Sequence, residues 1–249
     1  GVLRNPLAEP YLLGVSGGAA VGAVLMTSAG ATALFAIAPA AFGGAATAVF
    51  IVLGLARLSG GRFDPRVLLM AGVVVGAFAN AAIMVALANA DANSVRGALW
   101  WMMGSLGDAT WRDAIWLAPV VLLGGAVLVA RSHDIDALAL GEDAAASLGV
   151  DVERAARTLF LLSSLLAAAT VASAGLIGFV GLVIPALVRA IGARRARETI
   201  VGSALAGGAL LIVADTLART MQAPAELPVG AVTALVGVPF FLMRLGRLR

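Results

Sequence analysis

Long apolar runs, separated by short polar stretches, dominate the hydrophobic pattern of this chain. A helix needs about 20 apolar residues, within a range of roughly 17–25, to cross a hydrocarbon core of about 30 Å. The pattern therefore predicts an all-α fold, a polytopic membrane helical bundle. We expect eight transmembrane helices, at Tyr11–Met26, Ala31–Ala56, Val67–Ala88, Ala114–Ala130, Thr158–Ala172, Leu176–Ile191, Ile200–Ala218 and Val229–Met243.

Residues 131–157 form the one long polar segment between these runs, and they read as two short helices. Asp136 is placed to cap "ALAL", and Gly141 to end that first helix. The acidic pair of "EDAAASL" suits the first turn of a second helix, which Gly149 would end. Asp151 would then cap the helix that becomes the fifth span.

The same segment combines exposed apolar residues with negative charge. Three arginines and six acidic residues leave it at −3, so anionic lipid would repel it. Helices this short are marginal alone, and a partner surface would explain why apolar side chains stay in water. We expect the exposed side chains to be Leu138, Leu140, Leu148, Val150 and Val152. The alternative, a solvated connector, would need neither paired caps nor exposed leucines.

Composition supports a membrane protein that forms a single domain over residues 1–249. Hydrophobic residues make up 61% of the chain and charged residues 12%, with a mean hydropathy of +1.01. Soluble domains carry about 25% charged residues, so the expected environment is a lipid bilayer. The pI is near 10.9, but the net charge is only +3 and the arginines are scattered, so we expect no nucleic-acid partner.

The arginines predict the topology. Eight crossings put both termini on one side, and fourteen of the seventeen arginines then fall on that side. Cytoplasmic loops of membrane proteins are enriched in basic residues. Both ends and the polar segment are therefore expected in the cytoplasm, and the outer side receives three arginines, Arg96, Arg112 and Arg219.

Several residue types needed for chemistry are rare or missing. The chain has no lysine and no cysteine, and it has one histidine. A phosphate-binding GxxxxGK[ST] loop needs lysine, and multi-ligand zinc or haem sites are built mainly from His and Cys ligands. We therefore expect no enzyme activity, no bound cofactor and no metal site in this chain.

Glycine and tryptophan mark two further features. Gly14, Gly18 and Gly22 recur every four residues, as Gly72 and Gly76 do, and this spacing lets helices pack closely in lipid. All four tryptophans fall within 17 residues on the outer side. Because tryptophan prefers the membrane interface, "SVRGALWWMMGSLG" predicts an interfacial or re-entrant helix, either as an anchor or as the lip of an outer vestibule.

"ADTLART" places Asp215 and Arg219 at i and i+4 near the outer end of a predicted span. An ionised carboxylate inside a span costs about 2.5–3.5 kcal/mol on insertion scales. Asp215 therefore needs a partner, and Arg219 on the same helix face is the nearest candidate.

Four motifs, in order along nearly the whole chain, carry a family resemblance: "RNPLAEPYLLGVSGGAAVGAV", "ALGEDAAASLGVDVER", "GLIGFVGLVIPALVR" and "ADTLARTMQAPAELPVGAVTALVGVPFFLMRL". The chain resembles the FecCD-type permeases, the membrane subunits of ABC importers for iron chelates and vitamin B12. Such permeases usually have ten transmembrane helices, and this chain begins at their third. The resemblance thus implies an N-terminally incomplete permease.

The resemblance also implies how the protein works. It implies a homodimer in the bacterial cytoplasmic (inner) membrane, two separate ATPase subunits that use ATP, and an extracytoplasmic substrate-binding protein. The cargo would be an iron chelate of the siderophore type, with haem or cobalamin as the alternatives.

Functional residues follow from the matched motifs. "ALGEDAAASLG" matches the coupling helices that seat in the ATPase, which implies coupling roles for Leu138, Gly141, Glu142, Asp143, Leu148 and Gly149. "GGRFDPRVLL" matches the cytoplasmic gate, and implies roles there for Asp64, Pro65 and Arg66. Arg219 matches a family arginine that faces the binding protein, which implies a docking role for it. Arg96 and Arg112 are weaker docking candidates.

The chain departs from the family at the inner end of the sixth span. Ala186 stands where relatives commonly have histidine, and "GARRARE" replaces an acidic-His-Arg cluster. Two other classes of membrane protein fit the sequence less well. An ion-coupled carrier needs ionisable residues at mid-membrane, and Asp215 is the only deep acid. An intramembrane hydrolase needs a Ser–His pair, but His133 lies in the polar segment.

Overall fold

The computed structural model describes residues 14–31, 34–58, 65–222 and 225–246. Across these ranges the secondary structure is entirely helical, with no strand. The helices are α1 (Val15–Ser28), α2 (Leu34–Leu58), α3 (Pro65–Ala88), α4 (Ala92–Met103), α5 (Trp111–Ala130), α6 (Ser132–Leu140), α7 (Glu142–Ser147), α8 (Val152–Ala174), α9 (Val180–Ala190), α10 (Ala196–Thr220) and α11 (Val229–Gly246).

Each predicted apolar segment corresponds to one helix, which confirms the all-α class. Within the described ranges, five helices are long and apolar enough to cross a bilayer, namely α2, α3, α5, α8 and α10. The other three, α1, α9 and α11, have apolar helical stretches of 10–17 residues. The expected total of eight crossings therefore stays a prediction.

The main core lies where α1, α2, α3 and α8 pack together. Its contact between α1 and α2 depends on glycine. A Cβ atom at Gly22 would collide with the backbone of Ala40, and one at Gly18 would collide with the carbonyl oxygen of Gly44. The predicted close packing of Gly18 and Gly22 is confirmed. A Cβ atom at Gly76 would meet open space, but the Gly76 Cα lies 3.5 Å from where a Cβ atom on Gly17 of α1 would be, so the backbone of α3 approaches α1 there as well.

The second half of the bundle is looser. Helix α10 packs against α9, α11, α5 and α6, but only 11% of its membrane-length window is buried. For α5 that share is 6%. Both helices expose leucine, isoleucine and valine side chains, which is the pattern of a lipid-facing surface.

The expected short helix on the outer side is α4, and Asp91 caps it. The Asp91 carboxylate accepts hydrogen bonds from the Asn93 and Ser94 amides, at 2.9 and 3.1 Å, and from the Ser94 hydroxyl at 2.6 Å. These bonds, above all that from the Ser94 hydroxyl, lower the pKa of Asp91 below its ordinary value. Trp100 on α4, and Trp111 and Trp116 on α5, are exposed.

Candidate functional site

Helices α6 and α7 form an angular unit, and two glycines make this possible. Gly141 separates the helices with φ 127° and ψ 159°, a backbone region that is essentially restricted to glycine. At the end of α7, Gly149 adopts φ 80°. There the Gly149 amide donates to Ala146 O at 2.9 Å and the Val150 amide to Ala145 O at 3.0 Å, which is the Schellman pattern of helix termination.

The predicted start of the next helix is also observed. Asp151 is the N-cap of α8, and its carboxylate accepts a hydrogen bond from the Arg154 amide at 3.1 Å. Residues 131–151 therefore fold as helix, bend, helix and turn, closed by a capped helix that runs for 23 residues. We call residues 131–151 the coupling segment, after the role that the family resemblance implies for them.

A small apolar core attaches the coupling segment to α8. Ala137, Leu138 and Ala145 are buried against Ala155 and Leu159 of α8. The expectation that Leu138 projects into water is wrong, because it is only 5% exposed and faces this intramolecular core. Leu138 therefore positions α6 and is not available to a partner.

The opposite face of the coupling segment is free of this packing. Leu140 is 72% exposed and Leu148 is 54% exposed. Glu142 and Asp143 lie in the first turn of α7 and are also exposed. Two leucines and two carboxylates of the coupling segment are thus exposed, and the described part of the chain leaves them uncovered.

Two ion pairs partly offset the acidic charge at the ends of the segment. Arg131 Nη1 lies 3.1 Å from Asp134 Oδ2, and Arg154 Nε lies 3.1 Å from Asp151 Oδ2. A polar cavity of about 470 Å³ lies between these ends, and His133 lines it. The acids on α7 are not part of either pair, so the exposed face keeps its negative character.

One contact of the coupling segment has no local sequence signal. Asp136 does not cap α6, because α6 already begins at Ser132. Its carboxylate instead accepts a hydrogen bond from the Ala196 amide at 2.8 Å, at the start of α10 and 60 residues away. The expected cap on "ALAL" is therefore wrong, and Asp136 joins the coupling segment to the first turn of a membrane-length helix.

The gate motif lies partly outside the described residues. Asp64 is outside the described residues, and of Pro65 only the backbone is described. Helix α3 begins at Pro65, a favoured first helical position because proline lacks an amide hydrogen. Arg66 is exposed in that first turn. A gate role for these three residues stays a prediction.

At the other end of α10, Asp215 and Arg219 form an ion pair. Arg219 Nε donates to Asp215 Oδ2 at 2.8 Å, and Arg219 Nη2 donates to the Leu106 carbonyl oxygen at 3.2 Å. The Arg219 side chain keeps 41% exposure. This guanidinium group therefore ties α10 to the α4–α5 loop and still presents a surface to a partner.

The other docking candidates lie on separate elements, Arg96 on α4 and Arg112 in the first turn of α5, and both are exposed. Ala186, the position where relatives commonly have histidine, is buried in α9. Among the described residues, no group of three or more His, Cys, Asp or Glu side chains is arranged to hold a metal ion.

Sequence reasoning missed a second feature, at the start of α9. Phe179 has a φ of +66°, the one positive value at a non-glycine position in the described ranges. Its side chain, from Cβ outward, packs where a Cβ atom on Gly237 of α11 would otherwise lie. Nothing in "GLIGFVGL" distinguishes this phenylalanine locally, because the packing partner is distant in sequence.

Comparison with known proteins places the chain among transport proteins. A model of the FecCD transport family matches residues 1–247. A cobalamin import system permease, BtuC of Halobacterium salinarum, is 42% identical over 97% of this chain, which spans 64% of that relative's length. A hemin transport system permease, HmuU of Yersinia pestis, is 40% identical over all of this chain and 75% of its own.

A solved structure described as an inward-facing metal-chelate type ABC transporter superposes with a TM-score of 0.89 and 26% identity. The match covers 98% of this chain and 78% of the other. Because the family model matches nearly every residue, and because two relatives share 40% or more of the aligned positions, this chain belongs to the FecCD transport family.

Proposed function

We propose that this chain is a membrane-spanning permease subunit of an ABC importer, in which separate ATPase subunits drive alternating access. The supporting observation is the coupling segment, a helix pair on which Leu140, Leu148 and two carboxylates are exposed. A helix pair that packs against α8 and is hydrogen-bonded to the start of α10 can transmit a rigid-body displacement to both helices. The chain itself would bind no cofactor and would catalyse no reaction.

The proposed setting is the bacterial inner membrane, with both ends of the chain in the cytoplasm and a second copy completing the pathway. An extracytoplasmic substrate-binding protein would deliver the cargo. Arg219 fits a docking role because its guanidinium is held in place by Asp215 and the Leu106 carbonyl while part of it stays exposed. Arg96 and Arg112 are the secondary docking residues.

The proposed cargo is an iron chelate of the siderophore type. Haem or cobalamin is the second candidate, because two relatives that share 40% or more of the aligned residues are named for hemin and cobalamin import. All three are bulky metal chelates, so the pathway would carry an intact complex. Uptake of each labelled chelate by the reconstituted importer distinguishes them.

The test is Leu148→Asp, with Leu148→Met as the matched control. Leu148 is half-exposed at the C-cap of α7, so a charge there costs the fold little but would place an unpaired carboxylate in the ATPase interface. We expect Leu148→Asp to lose co-purification with the co-expressed ATPase subunit and ATP-driven uptake, while membrane insertion is unchanged. Leu148→Met should keep both.

Two outcomes would overturn the proposal. Undiminished ATPase association with Leu148→Asp would remove the coupling segment from the interface. Uptake by the reconstituted protein without any ATPase subunit would favour an ion-coupled carrier instead.

A further inference from the structure

The turn between α9 and α10 has a charge that the proposed transport function does not use. Residues 189–198 contain four arginines and one glutamate, and we call them the arginine turn. All four guanidinium-bearing residues are exposed: Arg189, Arg194, Arg195 and Arg197. None of them forms an ion pair with a carboxylate in the described part of the chain.

The single glutamate of the turn is engaged with the backbone. The Glu198 carboxylate accepts hydrogen bonds from the amides of Arg194 and Arg195, at 2.9 and 3.3 Å. These bonds hold the turn in one shape, and Gly192 permits its reversal with φ 122°. The carboxylate therefore organises the backbone, and the turn keeps a net charge of +3.

The position of Arg197 on α10 indicates which surroundings the arginine turn faces. Val201, Leu205 and Ile212 follow it on one face of α10, because their spacing keeps them within one stripe of a 3.6-residue helix. Leu205 is 73% exposed and the other two are also exposed. In a membrane-length helix such an apolar stripe faces acyl chains, which places Arg197 at headgroup height on the lipid-facing side.

A second residue supports a lipid surface over a protein surface. Ile191, within the turn, is 84% exposed. An apolar side chain flanked by arginines at the end of a span is suited to the boundary between acyl chains and headgroups, where arginine stems bury carbon and extend their charge to the polar layer.

We propose that the arginine turn binds the anionic phosphate headgroups of bilayer lipids. The turn differs in sign from the coupling segment, which carries −4 and would be repelled by the same lipids. Lipid binding would hold the start of α10, where Asp136 also attaches, at a defined depth. This inference depends on membrane insertion and not on the identity of the ATPase or cargo.

The experiment uses the absence of cysteine from the sequence. A fluorophore attached to the cysteine of Ile191→Cys reports on the lipids next to the turn. The protein is reconstituted in phosphatidylcholine vesicles with one of two quenching lipids, brominated phosphatidylglycerol or brominated phosphatidylcholine. We expect stronger quenching by the brominated phosphatidylglycerol, and a decline of that preference as salt rises, because ions screen exposed charges. The double substitution Arg194→Gln and Arg197→Gln should lower the preference for phosphatidylglycerol on the order of tenfold.

The matched control neutralises Arg154 and Arg157 instead, which removes the same charge from the start of α8 and should leave the preference intact. Equal quenching by the two brominated lipids would overturn the proposal. Absence of quenching by either lipid would also overturn it, and would assign this face to a second protein copy. Loss of ATPase association with an unchanged lipid preference in the Arg194 and Arg197 variant would assign the turn to a protein interface.

Discussion

The hydrogen bond from the Ala196 amide to Asp136 makes the most specific prediction, because it joins the coupling segment to α10 at a single point. Asp136→Ala removes the acceptor and leaves the first turn of α10 without this cap. Asp136→Asn keeps an acceptor oxygen but loses the charge that favours a helix N-terminus.

The magnitude follows from the geometry. The bond is 2.8 Å long, partly buried and accepted by an ionised group, and such bonds contribute about 1.5–3 kcal/mol. Because water can reach part of the site, the lower end applies to Asp136→Ala, about 1.5 kcal/mol. This corresponds to roughly a tenfold rise in local opening of the first turn of α10, and Asp136→Asn should lie between the wild type and Asp136→Ala.

Amide hydrogen exchange measures this opening directly. Peptides that cover residues 192–200 should exchange roughly tenfold faster in Asp136→Ala, while peptides at the start of α8, which Asp151 caps, should be unchanged. Asp134→Ala is the control, because Asp134 forms only a surface ion pair with Arg131 at 3.1 Å and such pairs contribute little. Unchanged exchange at residues 192–200 in Asp136→Ala would refute the reasoning.

Three further predictions concern other parts of the chain. Gly22→Ala should destabilise the bundle by about 1–3 kcal/mol, because the added methyl group overpacks against α2. Gly76→Ala should not destabilise it, because its methyl group meets open space. The thermal unfolding midpoints of the two variants in detergent test this difference. Arg219→Glu should weaken docking of the binding protein. It should also lower the yield of folded protein, because it leaves two carboxylates at i and i+4. Arg96→Glu should affect docking alone, and equal folded yields of the two variants would contradict the structural role of the ion pair. Because the pKa of Asp91 is lowered, the stabilisation of α4 by the Asp91 cap should be fully present above the ordinary aspartate pKa and be lost as the pH falls through the lower pKa of the folded state. A pH titration of helix content should show this loss in the wild type and not in Asp91→Ala.

Local rules predicted the ends of the helices in the coupling segment well. Gly149 and Asp151 act within four residues of their own positions, so propensity and capping chemistry were enough to place them. The apolar periodicity of the spans was equally visible, because each span repeats the same signal over many residues.

The remaining features depend on contacts between distant residues. The partner of Asp136 lies 60 residues away, and no capping rule reaches that far. Leu138 and Leu140 looked equivalent, because nothing in a nine-residue helix shows which leucine turns toward α8. The positive φ of Phe179 follows from its packing against α11, a tertiary constraint that overrides local preference.

The glycine contact between α1 and α2 bears on where the molecule can change shape. Backbone atoms of the two helices approach so closely at Gly18, Gly22 and Gly44 that no sliding by a fraction of a turn is sterically free. In the proposed transport cycle this pair should behave as a stationary wall. Opening and closing would then be absorbed on the far side, where little of α10 is buried and a Cβ atom at several glycines, Gly208 among them, would meet open space.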